Sequence, residues 1–327
     1  MEKLTSVRLV AIIALGTLAA LSVLLIPQTS LHAATRIVVF CGAAMSLNLL
    51  IGNAGLVSMG HGLFLGLGAY ATAVANVKFG MSLGLCIVVA LAISLVAGAV
   101  AGFIALRARA LFFALLTLAL GQVFYVFVAR NYNVTGGDDG LVGIDAPAWL
   151  ENEAGQYLFA VAFTLGLCIA LLLLLASPFG ATLRAVRDNP ERVASLGGDP
   201  KLYEFAAFVI SGFCASVVGV VIAVTDGSVE PGIASWTTGA TLLVMVALGG
   251  RFTFLGPIAG VIILEAVRTF VQTRSTHADL AVGLIVILCA LCFPEGLGRG
   301  IELLRLSPQT VRPFRVGGQR VRNSERQ

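Results

Sequence analysis

The chain has 327 residues, 58% hydrophobic and only 12% charged, with 37 glycines and a net charge of +4. A water-soluble domain carries about 25% charged residues, so this composition excludes a soluble enzyme and indicates an all-α, polytopic membrane protein. The small net charge gives no case for nucleic acid; membrane lipid and other proteins are the expected partners.

Ten apolar runs are expected to form spans: 8–26, 37–52, 58–77, 82–105, 111–129, 156–176, 205–225, 239–250, 255–272 and 278–293. Runs of about 20 residues cross a hydrocarbon core of about 30 Å as helices. The first could serve as a secretion signal, but it is long for one and "PQTSLHAA" is an indifferent cleavage site, so a retained helix is expected. The eighth is short, and is expected to be bent or only partly spanning. With the N-terminus inside, 16 of the 21 Lys and Arg fall on the inner side and 5, including Arg36 and Arg268, on the outer side. That asymmetry predicts both termini in the cytoplasm. Residues 1–305 then form the membrane domain, with an inner loop at 177–204, and 306–327 a basic tail expected to be disordered.

Gly62/Gly66, Gly98/Gly102 and Gly256/Gly260 are GxxxG pairs, which let helix backbones approach closely in lipid. All six cysteines lie in apolar runs, and the Cys289/Cys292 pair has neither a second pair nor a nearby histidine, so packing is expected rather than metal or redox chemistry.

Several engines are missing. No GxxxxGK[ST] loop, HExxH or GxSxG is present, and His32, His61 and His277 are isolated. Ionisable residues inside spans are costly and functional by default. The clear candidates are Glu265 and Arg268, three apart on one helical face and read as a local pair.

"RDNPERVASLGG" (187–198) breaks this pattern. Asn189 suits an N-cap and Pro190 the first helical position, where its missing N–H is harmless. Glu191 falls where the helix dipole favours negative charge, and Gly197 supplies a stop. The result is a helix of about two turns, too short to persist alone in water. It is either a capped connector or a docking helix for a cytosolic motor.

The segment resembles the cytoplasmic coupling loop of bacterial ABC importers, in which Glu-Ala-Ala is followed after three residues by Gly. Glu191 and Gly197 have that spacing, with Arg192 and Val193 in place of the alanines. Further stretches resemble the LivM-type permeases of the branched-chain amino acid ABC transporter family. They are "SLNLLIGNAGLVSMGHGLFLGLGAYATA" (46–73), "RALFFALLTLALGQVF" (109–124), "TGGDDGLVGI" (135–144), "GATLRAVRDNPERVASLG" (180–197), "MVALGGRFTFLGPIAG" (245–260) and "CFPEGLGR" (292–299). The resemblance implies a multi-pass permease subunit of the bacterial inner membrane, paired with a LivH-type second permease. Two cytosolic ABC ATPase subunits would bind ATP and Mg and drive it, a periplasmic binding protein would deliver solute, and this chain would carry no cofactor. Arg187, Asn189, Glu191, Arg192 and Gly197 would form the ATPase-coupling element.

For the solute path or gate, the polar residues within apolar runs are the candidates: Asn48, Asn53, Ser58, His61 and Gln122. Glycines 52, 55, 60 and 62 among them predict a broken or tightly turned helix entry. His61 is either a packing joint or a gate; Thr117 and Gln122 are five apart and do not share one stripe cleanly, and Gln122 is expected to make an interhelical hydrogen bond. "TGGDDG", with Thr135, Asp138 and Asp139, is expected to be a flexible outer loop that meets the binding protein or stays solvated. A branched-chain or other hydrophobic amino acid is the expected solute. Urea, short amides or small organic acids are alternatives within the family, and an ion-coupled carrier is the alternative outside it.

Overall fold

The computed structural model describes residues 2–23, 27–150, 152–272 and 283, and these form a helical bundle. Apart from Gly283, the expected tenth span lies outside the described residues, as do the tail, His277, Cys289 and Cys292.

In chain order the helices are α1 (Glu2–Ser22), α2 (Gln28–Asn48), α3 (His61–Ala73), α4 (Leu83–Ala105), α5 (Leu111–Arg130) and α6 (Tyr132–Thr135). They continue with α7 (Glu153–Ala176), α8 (Pro178–Asp188), α9 (Pro190–Ser195), α10 (Pro200–Asp226), α11 (Trp236–Gly249) and α12 (Gly256–Gln272). Five stretches are long and apolar enough to cross a membrane: Ser30–Ala54, Leu83–Ala105, Leu111–Arg130, Glu153–Ala176 and Pro200–Asp226.

Two departures from the expected spans matter. The second helix begins at Gln28, so His32 and Arg36 are helical residues rather than members of an outer loop. Polar residues near a span end are tolerated because that end reaches the headgroup region. The third span starts at His61, not 58. A π-helical turn, Leu49–Ala54, extends α2, Gly55 stops it at φ +74°, and residues 55–60 are non-helical before α3 resumes. The break foreseen from the glycines is therefore present.

Burial separates the spans into two classes. About three-quarters of Ser30–Ala54 and Pro200–Asp226 is buried, against 22% of α4 and 28% of α5. The centre is α2, α3 and α10; α4 and α5 are peripheral. Glycine and serine make the α3–α10 contact close. Gly219 lies on the Leu65 carbonyl, Gly68 on the Ser216 carbonyl, and Ser216 Oγ donates to the Phe64 carbonyl at 2.9 Å. The three GxxxG pairs all sit at contacts: Gly62 and Gly66 against Ala234 and Ser235, Gly102 against Phe205 and Phe208, Gly256 and Gly260 against α11. The described cysteines, Cys41, Cys86, Cys168 and Cys214, are free and buried.

α11 has 14 residues, about 21 Å. It starts within the bundle, because the turn Pro231–Ala234 carries the chain inward against Gly62 and Gly66 before Ser235 caps it. That accounts for the short eighth span. A two-stranded antiparallel pair, β1 (Leu141–Val142) with β2 (Ser228–Val229), closes one end of the bundle, in register Leu141 to Val229. α9 closes the other, since α10 runs about 40 Å between them.

Candidate functional site

The α8–α9 segment is built by its caps. Asn189 Oδ1 accepts the Arg192 N–H at 2.9 Å, and Pro190 opens the helix. At the far end Gly197 and Gly198 donate to the carbonyls of Ala194 and Val193, each at 3.0 Å, with Gly197 at φ +86°. This is a Schellman stop. One face is anchored: Val193, Val186 and Leu183 are buried, and Arg184 Nη1 donates to the Leu175 carbonyl at the end of α7 at 3.0 Å. The other face is open: Glu191, Arg192, Ala194 and Ser195 are exposed, and Leu196 is 84% exposed.

Arg187 ties this segment to the helix break. Its Nη1 donates to the Gly52 carbonyl in the π-helical turn, and its guanidinium lies over the Phe252 ring at 5.6 Å and pairs with Asp188 at 2.8 Å. Gly52 is confined by Arg251 and Asn48, so no side chain fits there. Asn48 Nδ2 donates to the Thr253 carbonyl at 3.5 Å, its Oδ1 is buried without a partner, and Asn53 Nδ2 donates to the Asn48 carbonyl at 3.4 Å. Asn48 and Asn53 thus belong to the α8-facing joint.

His61 lies deeper and is fully buried. Ser211 Oγ donates to the Ser46 carbonyl at 2.6 Å and stands 3.0 Å from His61 Nε2. Because the hydroxyl proton is committed to Ser46, Nε2 carries the hydrogen and Nδ1, also buried, has no partner. The chain α3–α10–α2 is therefore stitched by three polar groups. Ser211→Ala is expected to leave Nε2–H unpaired and to destabilise the protein by about 1–3 kcal/mol, read as a lower melting temperature in detergent; an unchanged melting temperature would refute this assignment.

Ser58 is buried and accepts the Gly60 N–H at 3.3 Å. Thr117, not Gln122, makes the bond from α5: its Oγ1 accepts the Met59 N–H at 3.2 Å, whereas Gln122 Oε1 is buried without a partner. Five residues turn a helix about 140° past one full circle, so only Thr117 faces the break.

None of Asn48, Asn53, Ser58, His61 and Gln122 lines a polar cavity of about 780 Å³ that opens at the β1–β2 end. Its walls bring His32, Arg36 and Thr35 of α2 to Asp226, Glu230, Thr237, Thr238 and Thr241 and to Arg268 of α12. Behind them Glu265 is buried, 3.9 Å from both Arg268 and Arg36, so the expected local pair has a third member. The His32/Arg36 spacing of four was the available sequence signal, and assignment of those residues to a loop hid it.

The "TGGDDG" segment is packed rather than a flexible loop. Thr135 is buried and its Oγ1 donates to the carbonyls of Val128 (2.6 Å) and Asn131 (2.7 Å). Gly136, Gly137 and Gly140 have positive φ, and the turn they form leads directly into β1. Asp138 and Asp139 are exposed on it.

A profile of the family described as branched-chain amino acid transport system / permease component matches residues 29–291. The chain belongs to this family. It is a multi-pass membrane permease component and a non-catalytic transport subunit. The permease is 27% identical to the high-affinity branched-chain amino acid transport system permease protein LivM of Escherichia coli K12, over 88% of this chain and 74% of that protein. It is 29% identical to the autoinducer 2 import system permease protein LsrC of Photorhabdus laumondii, over 80% and 81% of the two chains. It is 22% identical to the galactofuranose transporter permease protein YtfT of E. coli K12, over 68% and 67%. No solved structure matches the permease.

Proposed function

We propose that the permease is one of two membrane subunits of an ABC importer in the bacterial inner membrane and moves a branched-chain or other hydrophobic amino acid inward. The observation that carries the reading is α9: a short, rigidly capped helix whose outward face, with Leu196 almost fully exposed, leaves an apolar side chain in water unless a partner covers it. In this reading two cytosolic ATPases bind ATP and Mg, and one of them seats α9. A LivH-type permease completes the bundle, and a periplasmic binding protein delivers solute to the Asp138/Asp139 end. The chain crosses the membrane about ten times with both termini inside, residues 1–305 form the membrane domain, and 306–327 remain a cytoplasmic tail.

The cavity at the β1–β2 end supports an outer entry, because it faces away from α9 and mixes hydroxyls with charges of both signs. Those hydroxyls also suit a polyol or sugar-like solute, and the likeness to the autoinducer 2 and galactofuranose permeases favours that as the second reading. Asn48, Asn53, Ser58 and His61 act in this account as the joint between coupling segment and cavity.

The test is co-purification in mild detergent of the wild type and of a Glu191→Ala, Gly197→Pro variant, with bound ATPase subunits as the readout. Proline at 197 cannot adopt φ +86° and loses the bond to Ala194. The wild type is expected to recover ATPase and the variant to lose most of it while remaining monodisperse. Equal recovery would sink the role of α9. Ion-driven transport by the purified chain alone would replace the importer by a carrier.

A further inference from the structure

An apolar groove of about 720 Å³ runs between α4 and α5. Val96, Val100 and Ile104 of α4 and Val123 of α5 form its walls, and Leu63 and Leu67 of α3 its floor. Every side chain lining it is apolar. α4 and α5 are also the least buried of the long spans. The groove therefore opens to the hydrocarbon, and its volume is that of a small-molecule site.

One end of the groove is cationic. The turn joining α4 to α5 carries Arg107 and Arg109, both exposed. The Arg107 guanidinium lies 4.6 Å from the centre of the Phe103 ring, and Phe103 is the neighbour of the groove residue Ile104. The stacking holds the charge beside the groove rather than out in water. Arg109 lies close enough to Glu204 to influence its charge, which leaves Arg107 as the freer cation. This turn is at the α9 end of the bundle, because α10 begins just after α9 and packs Phe205 and Phe208 against Gly102 of α4.

We propose that this groove seats an acyl chain of an anionic phospholipid of the inner leaflet, with Arg107 and Arg109 holding its headgroup. Basic pockets between spanning helices at the cytoplasmic side take anionic headgroups for the same reason. A partner helix would bury the groove but would leave Arg107 unmatched unless it carried an acidic residue at the same level. The inference rests on the proposed cytoplasmic placement of the α9 end and on α4 and α5 facing lipid, and not on which solute is transported.

The experiment is native mass spectrometry of the full chain released from detergent containing equal phosphatidylglycerol and phosphatidylethanolamine. The wild type is expected to retain one phosphatidylglycerol in preference. Arg107→Gln with Arg109→Gln is expected to lower that preference about tenfold, and Arg107→Lys with Arg109→Lys to keep most of it. Val100→Trp fills the groove without touching the arginines and is expected to abolish retention of either lipid. Equal retention of both lipids by the wild type would overturn the proposal, as would undiminished retention by Val100→Trp. Cross-linking of a Val100→Cys variant to a second permease subunit would do the same by assigning the groove to protein.

Discussion

Gly219→Ala is expected to destabilise the permease by about 3 kcal/mol, the upper end of the range for overpacking, and Gly219→Val to prevent accumulation of folded protein. A Cβ at position 219 falls on the Leu65 carbonyl and against the Ala69 nitrogen, both backbone atoms that cannot swing aside. The clash pries α3 from α10, and with them the Ser216–Phe64 and Ser211–His61 bonds that cross this contact. Gly166 of α7 serves as the internal control, because nothing lies within 4 Å of a Cβ there. Gly166→Ala is expected to be neutral or to stabilise by up to about 1 kcal/mol, since glycine in a helix interior is conformationally expensive. Melting temperatures of the two alanine variants decide the matter: similar values would mean that the α3–α10 approach is not limiting.

Arg187→Gln is expected to separate partner binding from transport. α9 keeps its caps and its exposed face in this variant, so recovery of ATPase in co-purification should remain near that of the wild type. What is lost is the charge-assisted bond from α8 to the Gly52 carbonyl and the stacking over Phe252. A hydrogen bond to a charged group is worth about 1.5–3 kcal/mol, and this one joins the docking segment to the broken end of α2. Solute uptake by the assembled transporter is therefore expected to fall about tenfold or more. Uptake equal to wild type would show that force passes from α9 to the bundle by another route, for which the Arg184–Leu175 contact would be the next candidate.

How much of this was readable without coordinates differs by residue. The α9 helix was legible nearly to the atom, because Asn189, Pro190 and Gly197 act through their own backbone and that of residues two to four away. The break at Gly55–Gly60 was legible for a similar reason: glycine and polar residues crowded into an apolar run have few helical solutions. α8 was missed as a helix, since its apolar residues Leu183 and Val186 are diluted by arginines that only make sense once the Leu175 and Gly52 carbonyls stand beside them. That Thr117 is the α5 residue bonded to the break was not legible, because it depends on which side chain faces Met59.

The sequence by itself determined the membrane character, the positions of five long apolar spans, the family and the capped helix, because each follows from composition or from contacts local in the chain. Tertiary structure alone decided which polar groups meet. Ser46, His61 and Ser211 lie on three different helices and form one seam, and Arg36, Asp226, Glu265 and Arg268 meet around one cavity at the β1–β2 end. The physical reason lies in the solvent. In water a helix marks its buried face with apolar residues, but in lipid both faces are apolar, so periodicity is silent about which side of each span looks inward.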